Sequence, residues 1–397
     1  AIAAAIRACH EAGGGRVVVP EGLWLTGPIH LRSRVNLHVS GDARLLFSTD
    51  PKRYLPLVPA FWEGMECMNY SALIYALGQE DFAVTGKGVL DGQADCSRWW
   101  PWKGRAGCGW SKGDPHQGPA RARLMEMVEA GVPPAERRFG EGAYLRPNFI
   151  QFLRCRNVLV EGVTIRNSPM WEIHPVLCAN VTVRGVTVIS HGPNNDGCDP
   201  ECSRDVLIED CLFDTGDDCI AIKSGRNADG RRLAAPSENI LIRNCVMKDG
   251  HGGVTIGSEI SGGARHIYAE RCRMDSPRLD RVLRLKTNAM RGGLIEHVYM
   301  RDIEVGQVAD ALLHIDFFYE EGPRGAHLPV VRRIGMEDIR CRRTKHGVYI
   351  RGFEKSPVRD VVLRNWRVDE APGGNVIEHA EGVRAERVIL GGKPVSL

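Results

Sequence analysis

The sequence has no apolar run long enough to cross a bilayer, which excludes a helical membrane-spanning architecture. Charge of one sign is also missing: 52 Lys and Arg stand against 49 Asp and Glu, a net charge of +3 with a pI near 8.2. So slight a bias gives no electrostatic case for nucleic acid, and it does not oppose a polyanion. The start of the chain shows neither a charged n-region nor an apolar h-region, so the expectation is that any signal peptide has been removed or was never present. No CxxC pair of the zinc-ribbon kind occurs among the 13 cysteines, and their odd number leaves at least one outside any intramolecular disulfide. Glycine is plentiful, at 45 residues in a chain 43% hydrophobic and 25% charged, a soluble and turn-rich composition.

Self-similarity organises the chain. A polar residue, then V/I/F, any residue, an aliphatic, any residue, a polar residue or Gly, two variable positions and an apolar residue recur. The units begin at Asp81, Asn157, Asn180, Asp205, Asn239, His266, His297, Arg333, Asp360 and Arg387. From Asn157 onward the starts lie 23, 25, 34, 27, 31, 36, 27 and 27 residues apart. A period of about 25 residues is one coil of a parallel β-helix, whose units bury their apolar faces only by stacking. Cys211, Cys245 and Cys272 share one column of three successive units and are expected to form a ladder of small buried side chains. The Gly13 to Gly15 run reads as a turn between an amphipathic helix and the strand RVVVP.

The expected fold is all-β: a single-stranded right-handed parallel β-helix of about ten coils, forming one domain over residues 1–397 with an N-terminal capping helix. Residues 1–80 hold the cap and first coils, 92–147 a long insertion beside the cleft, and 148–397 the regular coils with the site.

Stacking aligns the charged loops. HGPNNDGCD places Asp196 after the Asn180 unit, TGDD places Asp217 and Asp218 after the Asp205 unit, DGHGG places His251 next, and VLRLK brings Arg284 and Lys286. With coils about 4.8 Å apart, these form a stripe of three acids, a histidine and two cations. Arg284 and Lys286 share a strand face, leaving Leu283 and Leu285 to the core, and Gly216, Gly250, Gly252 and Gly253 are expected to permit close approach and unusual φ beside the acids. Such a stripe suits an acidic polysaccharide. Glycoside hydrolysis needs one protonated acid for the leaving oxygen and another carboxylate for water or direct attack, and crowding among Asp196, Asp217 and Asp218 is expected to keep one of them protonated.

PNNDG, GDD, GHGG and RLK, in this order, resemble the signature motifs of the polygalacturonase family of pectin hydrolases, glycoside hydrolase family 28. GKGVLDGQ, WEGMECMNYSALIYA, RPNFIQF and GSEISGG are similar to its bacterial, exo-acting branch. The resemblance implies Asp217 as general acid, Asp196 and Asp218 activating water with inversion, and His251 supporting the acid's protonation. It implies Arg284, Lys286, Asn194 and Tyr319 as substrate contacts, and neither metal nor cofactor. Asn195 stands where the family usually has Thr. The expected partner is pectin, polygalacturonate or an oligogalacturonide, with no nucleic acid or membrane involved, and the protein is expected to be a secreted or periplasmic monomer. A rhamnogalacturonan or other pectin-side hydrolase of the same family, a calcium-dependent pectate lyase and a non-catalytic carbohydrate-binding β-helix are the alternatives. In the insertion, CSRWWPWKGRAGCGWSKGDPHQG is followed by a helical RARLMEMVEA; its four tryptophans with nearby Lys and Arg are expected to stack on sugar faces, hold a terminal uronate and close one end of the groove, the alternative being a packed loop that shields the helix side.

Overall fold

The ten residues that open the repeat units share one backbone conformation. In the computed structural model, which describes residues 1–397, all ten have φ between 54° and 58°. The position five residues later is also left-handed in every unit: Gly86, Gly162, Gly185, Asp210, Asn244, Arg271, Asp302, Asp338, Asn365 and Gly392. Gly, Asn and Asp dominate these columns because they enter that region at least cost. The first column is skipped in the ladder register on both strands, Arg156 pairing with Ala179 and Val158 with Val181, so each unit opens on a left-handed residue that lies opposite its counterpart without shifting the register. Amide side chains then run up the columns: Asn157 donates to Asp81 (2.7 Å), Asn180 to Asn157 (2.9 Å) and Asn365 to Asp338 (2.9 Å).

The chain divides into two compact units, Ala1–Leu207 with Thr215–Asp217, and Ile208–Asp214 with Asp218–Leu397. In the first, the strands Gly15–Val19, Val35–Val39, Glu80–Gly86, Arg156–Glu161 and Ala179–Arg184 form one parallel ladder. Gly22–Thr26, Ala43–Phe47, Val89–Asp91, Thr164–Arg166 and Thr187–Ser190 form a second. Ile29–His30, Ile74–Leu77, Ile150–Leu153 and Ile173–Val176 form a third. Three parallel ladders traversed in turn make β-helical coils. The helix Ile2–Glu11 packs its one fully buried residue, Ile6, against this unit, and the insertion holds the helix Gly118–Glu129.

In the second unit, Ser237–Arg243, Ala264–Glu270, Leu294–Gln307, Val330–Arg343, Val358–Glu370 and Ala380–Leu390 stack in parallel. So do Ile220–Ile222, Val254–Ile256, Arg281–Lys286, Ala311–Asp316, His346–Arg351 and Val376–Glu378, hereafter the floor ladder. Cys211, Cys245 and Cys272 lie buried on successive coils, as the column predicted, and all 13 cysteines are thiols. Farther along, Ile303, Ile339 and Trp366 pair in register.

Candidate active site

Asp196 is positioned by the residue before it. Asn195 is fully buried, and its Oδ1 accepts from Ser190 Oγ and from the Gly192 N–H, both at 2.7 Å. Its Nδ2 donates to the carbonyls of Ser168 (3.1 Å) and Met170 (2.9 Å). An amide at this position therefore closes the HGPNND turn with four bonds, more than a threonine hydroxyl supplies. Asp196 is buried, and its carbonyl accepts from the Glu172 N–H at 2.9 Å. Asp217, half-buried, donates its N–H to the Asn195 carbonyl at 3.3 Å, and a carboxylate oxygen of Asp196 and one of Asp217 lie within 4.8 Å. Glu172 shares this neighbourhood: fully buried, it has its carboxyl pushed well above the usual range by burial, with Asp196 and Asp217 adding repulsion.

The insertion meets this half of the site through a cation. Lys103 Nζ donates to Asn194 Oδ1 at 2.7 Å, and Arg146, itself buried, donates to the same oxygen at 2.8 Å. Asn194 thus spends its carbonyl on the protein's own cations and keeps its amide nitrogen for other partners. Of the four tryptophans only Trp99 is buried, 3% exposed and packed edge-on against Tyr54 and Trp102, while Trp102 meets Tyr144 and Trp110 meets His116. Trp100 donates to the Ser168 carbonyl at 2.9 Å. Trp99 gives the insertion a core, Trp100, Trp102 and Trp110 stay part-exposed, and Lys103 is the insertion's charged contact with the Asn194 loop.

In the second unit Asp218 is fully buried and accepts from Lys286 Nζ (2.7 Å), Thr255 Oγ1 (2.9 Å) and Arg284 (3.3 Å). Burial alone would raise its pKa, but Lys286, Arg284 and Lys223 outweigh it and hold the carboxyl far below its ordinary value. The cations, rather than crowding among the acids, decide the state of Asp218. Gly252 shows why the loop is glycine-rich: a Cβ there would lie 2.3 Å from Thr255 Oγ1 and 3.0 Å from Asp218 Oδ1. Gly216 and Gly253 are equally crowded, whereas among the four only Gly250 is left-handed, so close approach, rather than φ, is the general reason for glycine here.

Leu283 and Leu285 face the core, while Arg284 and Lys286 face outward with the Tyr319 ring 5.7 and 5.2 Å away. Lys286 is nonetheless buried, which overturns any reading of this strand as a solvated face. His251 is exposed, in the loop whose carbonyl accepts from Arg281 at 3.5 Å.

Beside these lies a buried ionic cluster that the sequence reading passed over. Lys223 and Arg226 face Glu259 at 3.3 and 3.5 Å, and Arg226 and Arg291 both reach Glu320, at 2.8 and 2.7 Å. Glu320 follows Tyr319 directly, so the cluster anchors the segment carrying that ring. The signal for this cluster in the sequence is GSE at 257–259; Lys103 is among the Lys and Arg expected beside the insertion's tryptophans, and Glu172 has no such signal.

The profile described as Glycosyl hydrolases family 28 matches residues 139–385. The chain belongs to this family. A hyperthermoactive exopolygalacturonase from Thermotoga maritima is 47% identical with a TM-score of 0.95, over 98% of this chain and 87% of that one. A probable polygalacturonase of Vitis vinifera is 27% identical over 89% of this chain, and an exo-poly-alpha-D-galacturonosidase of Dickeya chrysanthemi is 26% identical over 68%. The chain spans 66% and 46% of the lengths of those two relatives. A polygalacturonase from Erwinia carotovora, 20% identical with a TM-score of 0.72, shares the fold. The family 28 fold is the right-handed parallel β-helix, as the repeats predicted.

Proposed function

We propose that this family 28 chain is an exo-acting polygalacturonase that hydrolyses α-1,4-linked galacturonic acid in pectin or polygalacturonate. The observation that carries the assignment of roles is the pairing of Asp218 with Lys286 and Arg284, which keeps Asp218 ionised and leaves its neighbour Asp217 to be the proton donor. Asp217 protonates the leaving oxygen, Asp196 and Asp218 activate the water, and His251 supports the acid's proton. Arg284 and Lys286 hold a uronate carboxylate, with Asn194 and Tyr319 contacting the sugar. No metal or cofactor enters this chemistry. A carboxylate already engaged by two cations and a hydroxyl is a poor calcium ligand, which weighs against the lyase alternative.

Exo action is supported by Lys103, a part-exposed cation brought against the Asn194 loop, where a chain-terminal uronate would find positive charge. Early digests of polygalacturonate are expected to release monomers or short units while viscosity falls slowly; a ladder of intermediate oligomers with rapid loss of viscosity would overturn this. The chain is further taken to act outside the cytoplasm as a single domain and a monomer.

Stereochemistry gives a second check. The family resemblance implies inversion, whereas an Asp196–Asp217 oxygen pair within 4.8 Å is short against the roughly 6.5 to 9.5 Å of inverting carboxyl pairs. Inversion at this spacing requires the water to lie to one side of the pair rather than between its members. Proton NMR of the first product is expected to show the β-anomer; an initial α-anomer would make one of the acids a nucleophile.

A further inference from the structure

We propose that the floor ladder carries an additional sugar subsite, built by Tyr349 and Arg351 on a buried His314, that takes a uronate residue beyond the one held by Arg284 and Lys286. The inference rests on the hydrolase reading and extends it along the substrate.

The register sets the geometry. Arg284 pairs with His314 and His314 with Tyr349, while Lys286 pairs with Asp316 and Asp316 with Arg351. Val348 and Ile350 are buried, so Tyr349 and Arg351 emerge on the same face as Arg284 and Lys286, two coils or about 10 Å along. The aromatic–cation pair thus follows the Arg–Lys pair at a distance one sugar does not span.

Its parts suit a sugar acid. The Tyr349 ring stacks on His314 with centroids 4.8 Å apart and planes 5° from parallel, which fixes its orientation. Arg351 has 32% of its side chain exposed and is held by Glu378 at 3.1 Å and by the Phe318 ring 4.4 Å from its guanidinium carbon. His314 covers one face of the ring and His346 packs tilted against it at 5.6 Å, so the part-exposed ring meets pyranose C–H groups by its remaining surface, beside a guanidinium whose exposed part is a charged donor for the carboxylate. Asp316, the acid in the intervening coil, accepts from the Phe318 N–H at 2.9 Å and is thereby turned to its own loop.

His314 supplies an independent pointer. It is 6% exposed, yet its Nδ1 has no hydrogen-bond partner, a deficit that a ligand or its water fills. Burial, then Arg281 and Arg284, push its pKa down to about 3, so the ring is neutral under working conditions and adds no charge beneath Tyr349.

The test is the dependence of kcat/KM on chain length, measured with di-, tri-, tetra- and pentagalacturonate. In the wild type kcat/KM is expected to rise with length as the added subsite fills. Tyr349→Ala and Arg351→Ala should each cut that rise roughly 5- to 20-fold, and Tyr349→Phe, which keeps the ring face, should retain it. An unchanged rise in both alanine variants, or an equal loss at every length, overturns the subsite while leaving the hydrolase reading intact. No wild-type turnover of any galacturonide overturns both.

Discussion

Asp217→Asn is expected to lower kcat by about 10² to 10⁴, or more, while oligogalacturonide binding survives. The amide keeps the size of the carboxyl and its reach, and Asp217 is tied into its turn by its backbone, through the Asn195 carbonyl and the Thr215 hydroxyl, so the loop should not move. What is lost is the transferable proton. Asp196→Asn should fall by a similar factor, because an amide does not take a proton from water, and both losses should persist in chelator. Wild-type products should be saturated sugars without the ultraviolet absorbance of a 4,5-unsaturated uronate. Absorbing products, or activity that vanishes in chelator and returns with calcium, would move these acids from proton transfer to metal ligation.

The contrast with Arg284→Ala separates the roles further. Arg284 is proposed to touch substrate and also lies 3.3 Å from Asp218, so its loss should raise KM as well as lower kcat. A variant that changes kcat alone would assign Arg284 wholly to Asp218.

Much of the fold was legible because a solenoid repeats its constraints. The two left-handed columns left their mark as Asn, Asp and Gly at fixed phase, and the inward rungs as alternating aliphatics, so each unit confirmed the last. Even where His266 and His297 replace the amides, the column persists as a stacked pair 4.9 Å apart. The acids were legible for the same reason, since equal phase in successive coils means proximity. What escaped depends on direction and burial, which phase does not encode. The insertion's Lys and Arg are expected near substrate, but the pairing of Lys103 with Asn194, 91 residues away in sequence, has no repeat to index it. The insertion's tryptophans divide between two uses that composition does not separate: Trp99 is buried as a core for the insertion, while Trp100, Trp102 and Trp110 keep exposed surface. Crowding of acids was likewise an incomplete guide to charge: TGDD shows the neighbours of Asp218 in sequence, whereas Lys223, Arg284 and Lys286 are its neighbours in space.

Those cations lead to the second large effect. Lys286→Met is expected to destabilise the protein by about 3 to 5 kcal/mol, the usual cost of leaving one member of a buried ion pair behind, and to abolish turnover. Asp218 and Lys286 are both buried and 2.7 Å apart, so solvent does little to screen the loss. The pH dependence separates this from a simple packing defect. In the wild type the folded-state pKa of Asp218 is depressed, so its contribution is fully present above the unfolded value near 3.8 and drains away as pH falls below it toward the folded value. Glu259, depressed by Lys223, Arg226 and Arg291 against its own burial, behaves the same way. Without Lys286 the burial of Asp218 loses its largest opposing charge, and its folded pKa rises. The stability gap between wild type and Lys286→Met, followed by denaturant unfolding, should therefore be widest near neutral pH and narrow as pH drops through about 4, where protonation removes the uncompensated charge. Asp218→Asn in the Lys286→Met background should recover part of the loss at neutral pH, because the charge that lacked a partner is gone. A gap that stays constant with pH, and is not reduced by Asp218→Asn, would mean that Lys286 stabilises the coil through its packed methylenes and that Asp218 is held ionised by Arg284 and Lys223 without it.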